Sequence, residues 1–479
     1  MLDYDLVILG GSLTGRYAAL LAAQMQARVA LVEPKEPSLK QGYQELFPLA
    51  ASVQNLRQIP LPENCNSRSP LNGKQAKLWG DLIRANCAEI YSPQRLASWG
   101  IDLIMGQGEF IQSPRLGFSI NSRILRSRTY LLALASPPKI PPIEGLLSTG
   151  FITSKTLDLF LDKRQNGSET VRQRLAIIGG DPTGVELAQL LTRLGIEVIM
   201  VVKGSQILGK EDPEAVQLIQ AQLEAEGVRI FTQTPVIQVK QIEDKKWVQA
   251  GNTALEVDEI LVACGSQTDL EGLNLNRVGV IFQGNNLDFN EKLQTSNPRI
   301  YGCGEILGGY SFEHIAQYEA QIAIKNALYW PKFKVNYQGI PWAIFSDPQL
   351  ARVGLTETQA KRRYGTQVIV ERQSLKMIAH AHIWGETTGF CKLVGLSNGK
   401  LLGATVVGSQ GSEFIHTLAL AIRQGVNLKT LAEFPAIIPT FSEVYHQSAI
   451  AWVNQRRRQN TVLFDGIENL FHWRRYWGN

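Results

Sequence analysis

At 479 residues, 44% of them hydrophobic and 19% charged, with 42 glycines, the chain is too long for one core and is predicted to divide into about three domains. That composition excludes disorder and collagen, and a formal net charge of only +5 gives no general case for nucleic-acid binding. Five cysteines, at 65, 87, 264, 303 and 391, form no CxxC or CxxxxC pair and suit a reducing compartment. No apolar run is long enough to span a bilayer, and the N-terminus shows neither a basic region nor a cleavage site, so a cytoplasmic location is expected.

Residues Leu6 to Leu9 form a short apolar strand, followed by Gly10-Gly11-Ser12-Leu13-Thr14-Gly15 and an alanine-rich helix from Arg16 to Met25. A strand, glycine turn and helix in this order present backbone N–H groups and a positive helix end to a pyrophosphate, with no Cβ to keep it away. The next strand, Ala27 to Val32, ends at Glu33-Pro34, where a carboxylate accepts hydrogen bonds from an adenosine ribose. Ser12 stands at the middle glycine position of the motif.

The pattern recurs at Leu175 to Ile178, Gly179-Gly180-Asp181-Pro182-Thr183-Gly184, a helix from Val185 to Leu194 and a strand from Glu197 to Val202. Here Asp181 replaces the middle glycine. Two outcomes stay open: its carboxylate caps the helix, or it repels a phosphate and weakens the site. The strand then continues into Lys203 with no acid near Val202, which removes the group that rejects a 2′-phosphate and leaves Lys203 to pair with one.

Two such cradles in tandem resemble the flavoprotein pyridine nucleotide-disulfide oxidoreductases, in which the first unit holds FAD and the second NAD(P)H. Thr129 to Ser136 is similar to that family's crossover, with Ala133 and Ala135 in it, and Leu261 to Gly265 is similar to its second copy. Tyr301-Gly302-Cys303-Gly304-Glu305 looks like the second FAD motif, with Glu305 for the usual Asp; Pro341 to Gly354 looks like the opening of the C-terminal dimerisation domain. The similarity covers about residues 4 to 455. It implies an α/β fold with two Rossmann-like domains plus an α+β dimerisation domain, in a homodimer. The expected bounds are 1–150 and 273–338 for the FAD domain, 151–272 for the NAD(P) domain, 339–455 for the interface and 456–479 for a tail. It also implies FAD contacts at Gly10, Gly11, Ser12, Leu13, Thr14, Gly15, Glu33, Pro34, Ala133, Ala135, Gly304 and Glu305, and weaker NAD(P) contacts at Gly179, Gly180, Gly184, Glu186, Lys203 and Gly265.

The chain departs from the family where disulfides are reduced. Family members place two cysteines four residues apart after the first ribose acid, followed by a lysine that pairs with the glutamate matched by Glu186; here Pro34 to Asn64 contains no cysteine. A thiol relay needs one sulfur for substrate and one for flavin electrons. The family's His-Pro-Thr-x-x-Glu string reads Ile438-Pro439-Thr440-Phe441-Ser442-Glu443, so the base is missing. Glu443 is expected to cap or be solvated, His446 is a weaker stand-in base, and Cys65 reads as structural. His380 and His382, two apart on an expected strand, read as an interface pair ahead of metal ligands, and no metal is expected.

The tail mixes aromatic and basic residues: Arg456-Arg457-Arg458, then Ile467, Leu470, Phe471, Trp473, Arg474, Arg475 and Trp477. It is a candidate for packing on the dimer partner or for peripheral membrane contact. The sequence thus points to an FAD-dependent oxidoreductase that uses NAD(P)H, NADPH favoured, and passes electrons to a non-disulfide acceptor such as a quinone, metal or protein. The alternatives are an FAD-binding docking or assembly protein with a degenerate nicotinamide site, and a thiol enzyme using Cys65 or Cys303.

Overall fold

The computed structural model describes residues 2–34, 89–112, 115–157, 159–161, 173–283, 286–309, 312–459 and 461–477, together with 82 and 85. They form two compact units, residues 1–207 with 226–335 and residues 208–225 with 336–479.

In the first unit, β1 (Tyr4–Leu9), α1 (Leu13–Gln24), β2 (Val29–Glu33), β3 (Asp102–Met105) and β4 (Ser127–Leu132) precede a second set. That set is β5 (Ile152–Thr153), β6 (Arg174–Ile178), α2 (Pro182–Arg193), β7 (Glu197–Val201), β8 (Arg229–Phe231) and β9 (Glu259–Val262), before β10 (Ile300–Gly302) and α3 (Glu313–Leu328). Two five-stranded parallel sheets result, ordered β10-β4-β1-β2-β3 and β8-β7-β6-β9-β5. The first sheet draws strands from both flanks of the segment that builds the second.

The near-continuous apolar runs of β1 and β2 follow from burial on both faces. Leu6, Ile8 and Leu31 join one core with Ala18, Ala19, Ala22 and Ala23 of α1, while Val7, Leu9, Ala30 and Val32 join another with Tyr130 and Leu132. Alanines on the buried side of α1 let the helix lie close to the sheet. Strand order reverses beside β1, and beside β6 in the second sheet, which opens a crevice at the strands' carboxyl ends.

In the second unit, β11 (Pro341–Ile344), β12 (Gln349–Gly354), β13 (Val368–Ser374), β14 (Phe390–Leu396) and β15 (Leu401–Gly408) form an antiparallel sheet ordered β11-β12-β15-β14-β13. α4 (Gly411–Gln424) and α5 (Glu443–Gln459) share its core through Phe414, Leu418, Val444 and Trp452, and α6 (Thr461–Tyr476) follows. No described helix is long and apolar enough to cross a membrane.

His380 and His382 are not on a strand. They lie in the short helix Ala379–Ile383, where the His380 ring meets Phe441 edge-on at 4.8 Å and His382 Nε2 lies 2.8 Å from the Lys376 carbonyl oxygen. A two-residue step turns about 200° on a helix, so the shared face that alternation implied is lost, and no group of metal-ligating side chains occurs among the described residues.

Candidate flavin and nucleotide site

The first cradle is built by close backbone approach. Gly10 has φ +131°, a conformation suited to glycine, and a Cβ there would sit 2.1 Å from the Ala133 carbonyl oxygen. A Cβ at Gly15 would sit 2.0 Å from the Gly10 oxygen. Helix α1 starts at Leu13, earlier than the expected Arg16, because Ser12 caps it: Ser12 Oγ accepts from the Gly15 N–H at 3.2 Å and donates to the Ala133 oxygen at 3.0 Å. The hydroxyl at the middle glycine position is therefore folded into the turn. Leu13 and Thr14 lie in the first turn, and Thr14 Oγ1 is 3.3 Å from Glu313.

Glu33 ends β2, as the motif requires, but both its oxygens are engaged. Arg16 donates to them through Nε at 2.6 Å and Nη2 at 2.7 Å, and through Nη1 to the Tyr91 carbonyl oxygen at 2.9 Å. Arg16 and Glu33 are 3% and 1% exposed. Pro34 follows β2 half-buried. The sequence reading missed Arg16; the available signal was a lone charge opening an alanine-rich helix.

Glu305 accepts a short hydrogen bond from the Ser136 N–H. Burial raises its pKa, opposed by that N–H and by Lys155, whose ammonium donates to the Ser136 carbonyl oxygen at 3.4 Å and is itself lowered by burial. Ser136 Oγ is buried with no hydrogen-bond partner among the described residues. The Gly304 N–H donates to Glu319 at 2.8 Å; in the crossover Ala133 is buried and Ala135 half-buried. A Cβ-free turn, a buried carboxyl held by backbone and an orphaned hydroxyl fit the phosphate and polyol of FAD; Glu33 would meet a ribose only while it also holds Arg16.

The second cradle repeats the first. Gly179 has φ +123°, and a Cβ would lie 1.9 Å from the Ala263 carbonyl oxygen; Gly184 packs against the same strand end. Asp181 is the N-cap residue of α2, yet its side chain makes no capping hydrogen bond. Its Oδ2 lies 3.0 Å from where a Cβ on Gly265 would be, and its charge helps burial push the Cys264 thiol up to about 11. Of the two outcomes left open, helix capping by the carboxylate is the one not found. Val202 is buried, packed against Gly180, while Lys203 is exposed and Glu186 is buried in α2.

Residues 35–81 lie outside the described residues, so the missing cysteine pair is a fact of sequence and Cys65 is not placed. Cys303 is fully buried and its thiol is raised well above the ordinary value by burial and by Glu319 and Glu313, unsuited to nucleophilic attack. In the second unit Ile438 is 67% exposed. Glu443 is buried rather than solvated: Oε1 accepts from Gln447 at 2.7 Å, while Oε2 is buried without a partner among the described residues. His446 gives it none, since its Nε2 lies 3.2 Å from the Ala432 carbonyl oxygen.

Residues 4–320 match the family model described as pyridine nucleotide-disulphide oxidoreductase. The chain belongs to that family. Residues 340–449 match the dimerisation domain of the pyridine nucleotide-disulphide oxidoreductases, which supports a homodimer, and membership brings FAD binding with use of a pyridine nucleotide. Among relatives in the family, mercuric reductase of Staphylococcus aureus is 29% identical over 94% of this chain and 82% of its own. Dihydrolipoyl dehydrogenase of Chlamydia pneumoniae is 27% identical over 94% and 97%. The fold is similar to LpdA from Mycobacterium tuberculosis (TM-score 0.80, 23% identity, 93% and 99% covered) and to the flavoprotein disulfide reductase RclA from Escherichia coli (0.78, 23%, 93% and 99%).

Proposed function

We propose that this flavoprotein takes hydride from a reduced pyridine nucleotide, NADPH ahead of NADH, and passes electrons to an acceptor other than a disulfide: a quinone, a metal ion or a protein. The observation that carries the reading is a split between two halves of the machinery. The glycine cradles keep their close approaches. The thiol half lacks its cysteine pair in sequence, has an exposed Ile438 where the base belongs and leaves Glu443 Oε2 without a partner among the described residues.

Bound FAD supplies hydride acceptance and stepwise electron release. The Gly10 to Gly15 turn would hold its pyrophosphate, Glu33 with Arg16 its ribose, and Ser136, Gly304 and Glu305 its polyol. Gly179, Gly180, Gly184, Glu186 and Gly265 would form the nucleotide site. Buried Val202 and exposed Lys203 favour a 2′-phosphate over a 2′-hydroxyl. Similarity to mercuric reductases favours a metal ion among the acceptors.

Anaerobic mixing tests the proposal. NADPH bleaches the flavin faster than NADH does, and the reduced flavin is reoxidised by a quinone or metal ion but not by glutathione disulfide or lipoamide. Asp181, turned toward Gly265 instead of capping its helix, favours a second reading, a flavin-bearing docking or assembly protein with a degenerate nicotinamide site. Bound FAD that neither nucleotide reduces would establish that reading, and turnover lost in Cys→Ser variants would establish thiol chemistry.

A further inference from the structure

Helix α6 closes the described chain with the side chains of its second half onward in solvent. From Gly466 to Trp477 every residue is exposed, including Phe471 at 52%, Trp473 at 56% and Trp477 at 76%. At about 100° per residue, Trp473, Trp477, Leu470, Ile467 and Phe471 fall within an arc of about 160°, while Arg475, Glu468, His472 and Asn469 occupy the opposite side. The Trp473 and Trp477 rings lie 5.7 Å apart, one turn from each other. Arg474 falls within the arc in the last turn, where its stem can run along the apolar face and carry the guanidinium to the polar edge.

An apolar arc of this width is covered in a working protein, and charge selects what covers it. Residues 456–479 contain five arginines, Arg456, Arg457, Arg458, Arg474 and Arg475, against Asp465 and Glu468. The difference is +3, out of +5 for the whole chain. A second copy would bring like charges together, whereas anionic lipid headgroups would neutralise them. Tryptophan and tyrosine beside arginine are the side chains that settle at the headgroup level. A charged face, with no described helix long and apolar enough to cross a membrane, makes α6 a helix that lies along a surface rather than crossing it. The geometry points to α6 as an interfacial anchor in the plane of an anionic bilayer, whatever the electron acceptor is.

The test uses the full-length flavoprotein and vesicles of phosphatidylcholine, with or without phosphatidylglycerol. The intact protein sediments with the anionic vesicles, release follows added salt, and tryptophan emission shifts to the blue. Arg474→Gln with Arg475→Gln lowers the partition about thirtyfold, at roughly 1 kcal/mol per arginine. Leu470→Asp with Phe471→Asp abolishes it, and a chain ending at Gln459 stays in the supernatant with unchanged flavin content and oligomeric state. Equal binding to neutral vesicles, or no binding to either kind, would overturn the anchor. Loss of the dimer on ending the chain at Gln459 would overturn it too, by assigning the helix to a second copy.

Discussion

Glu33 is 1% exposed and both its oxygens accept from Arg16, so on the proposed reading a ribose would meet a carboxylate already oriented. Ionised carboxylates accept about four hydrogen bonds, which leaves Glu33 capacity for ribose hydroxyls while the guanidinium fixes its plane. Breaking a buried pair from one side leaves an uncompensated charge, so Arg16→Leu is expected to cost about 3–5 kcal/mol of apo-protein stability. Arg16→Lys keeps the charge but loses the two-pronged geometry and falls between. Replacing both partners, Arg16→Leu with Glu33→Leu, restores most of the stability but still loses about tenfold or more in FAD affinity, because the ribose acceptor is gone. Thermal melts of the apo-protein and FAD fluorescence titrations separate the two effects; FAD binding that follows stability in all three variants would refute an orienting role. Glu33 was legible because motif spacing places an acid at the end of that strand. Arg16 was not, since nothing in a single helical turn says which buried group across the sheet it will reach.

At the scale of the strand-turn-helix element, the second cradle keeps the backbone of the first and changes one side chain. Ser12 folds back into its turn through two hydrogen bonds; Asp181, at the equivalent position, makes no capping bond and faces Gly265. A carboxylate beside a pyrophosphate is repelled by several kcal/mol at short range even at an effective dielectric near 20. Asp181→Asn keeps the size and the N-cap preference and is expected to lower the NADPH dissociation constant about tenfold, near 1.4 kcal/mol. The same substitution removes one of the two causes holding the Cys264 thiol at about 11, so its alkylation at alkaline pH becomes faster. An unchanged NADPH affinity, with Cys264 now more reactive, would show the carboxylate to be outside the nucleotide path. The cradles could be read from sequence because the spacing of glycines is set by backbone contact. The direction of Asp181 is set by what lies across the turn, as was the helical placement of His380 and His382, whose two-residue spacing fits a strand equally well.

Across the whole molecule, the α/β class and the C-terminal sheet follow from motifs in chain order, but the grouping of residues into compact units does not. Residues 208–225 fall between strands of the second cradle, inside the segment 151–272 expected to form one domain, yet they group with residues 336–479. An ionic cluster joins this segment to residues far from it in sequence. Lys392 bonds Asp212 at 2.9 Å, Glu214 at 2.7 Å and Glu357 at 3.4 Å, Arg352 pairs with Glu211 at 2.9 Å, and Arg372 pairs with Glu214. Burial draws the Lys392 pKa down, and the bonds to Glu214 and Asp212 outweigh it, leaving the ammonium raised above its ordinary 10.5. A raised folded-state pKa means that the stabilisation is complete below that ordinary value and is lost only as the pH climbs through the folded one. The intact protein should therefore hold the helix Pro213–Glu226 equally well from mildly acid to mildly alkaline solution. Lys392→Met leaves Asp212, 2% exposed, without its cation, at a cost of about 3–5 kcal/mol. Amide hydrogen exchange across residues 213–226, compared between the two proteins through that range, reads this directly. A variant whose protection in that helix stays within about 1 kcal/mol of the parent at every pH would show that packing, and not the cluster, holds the segment.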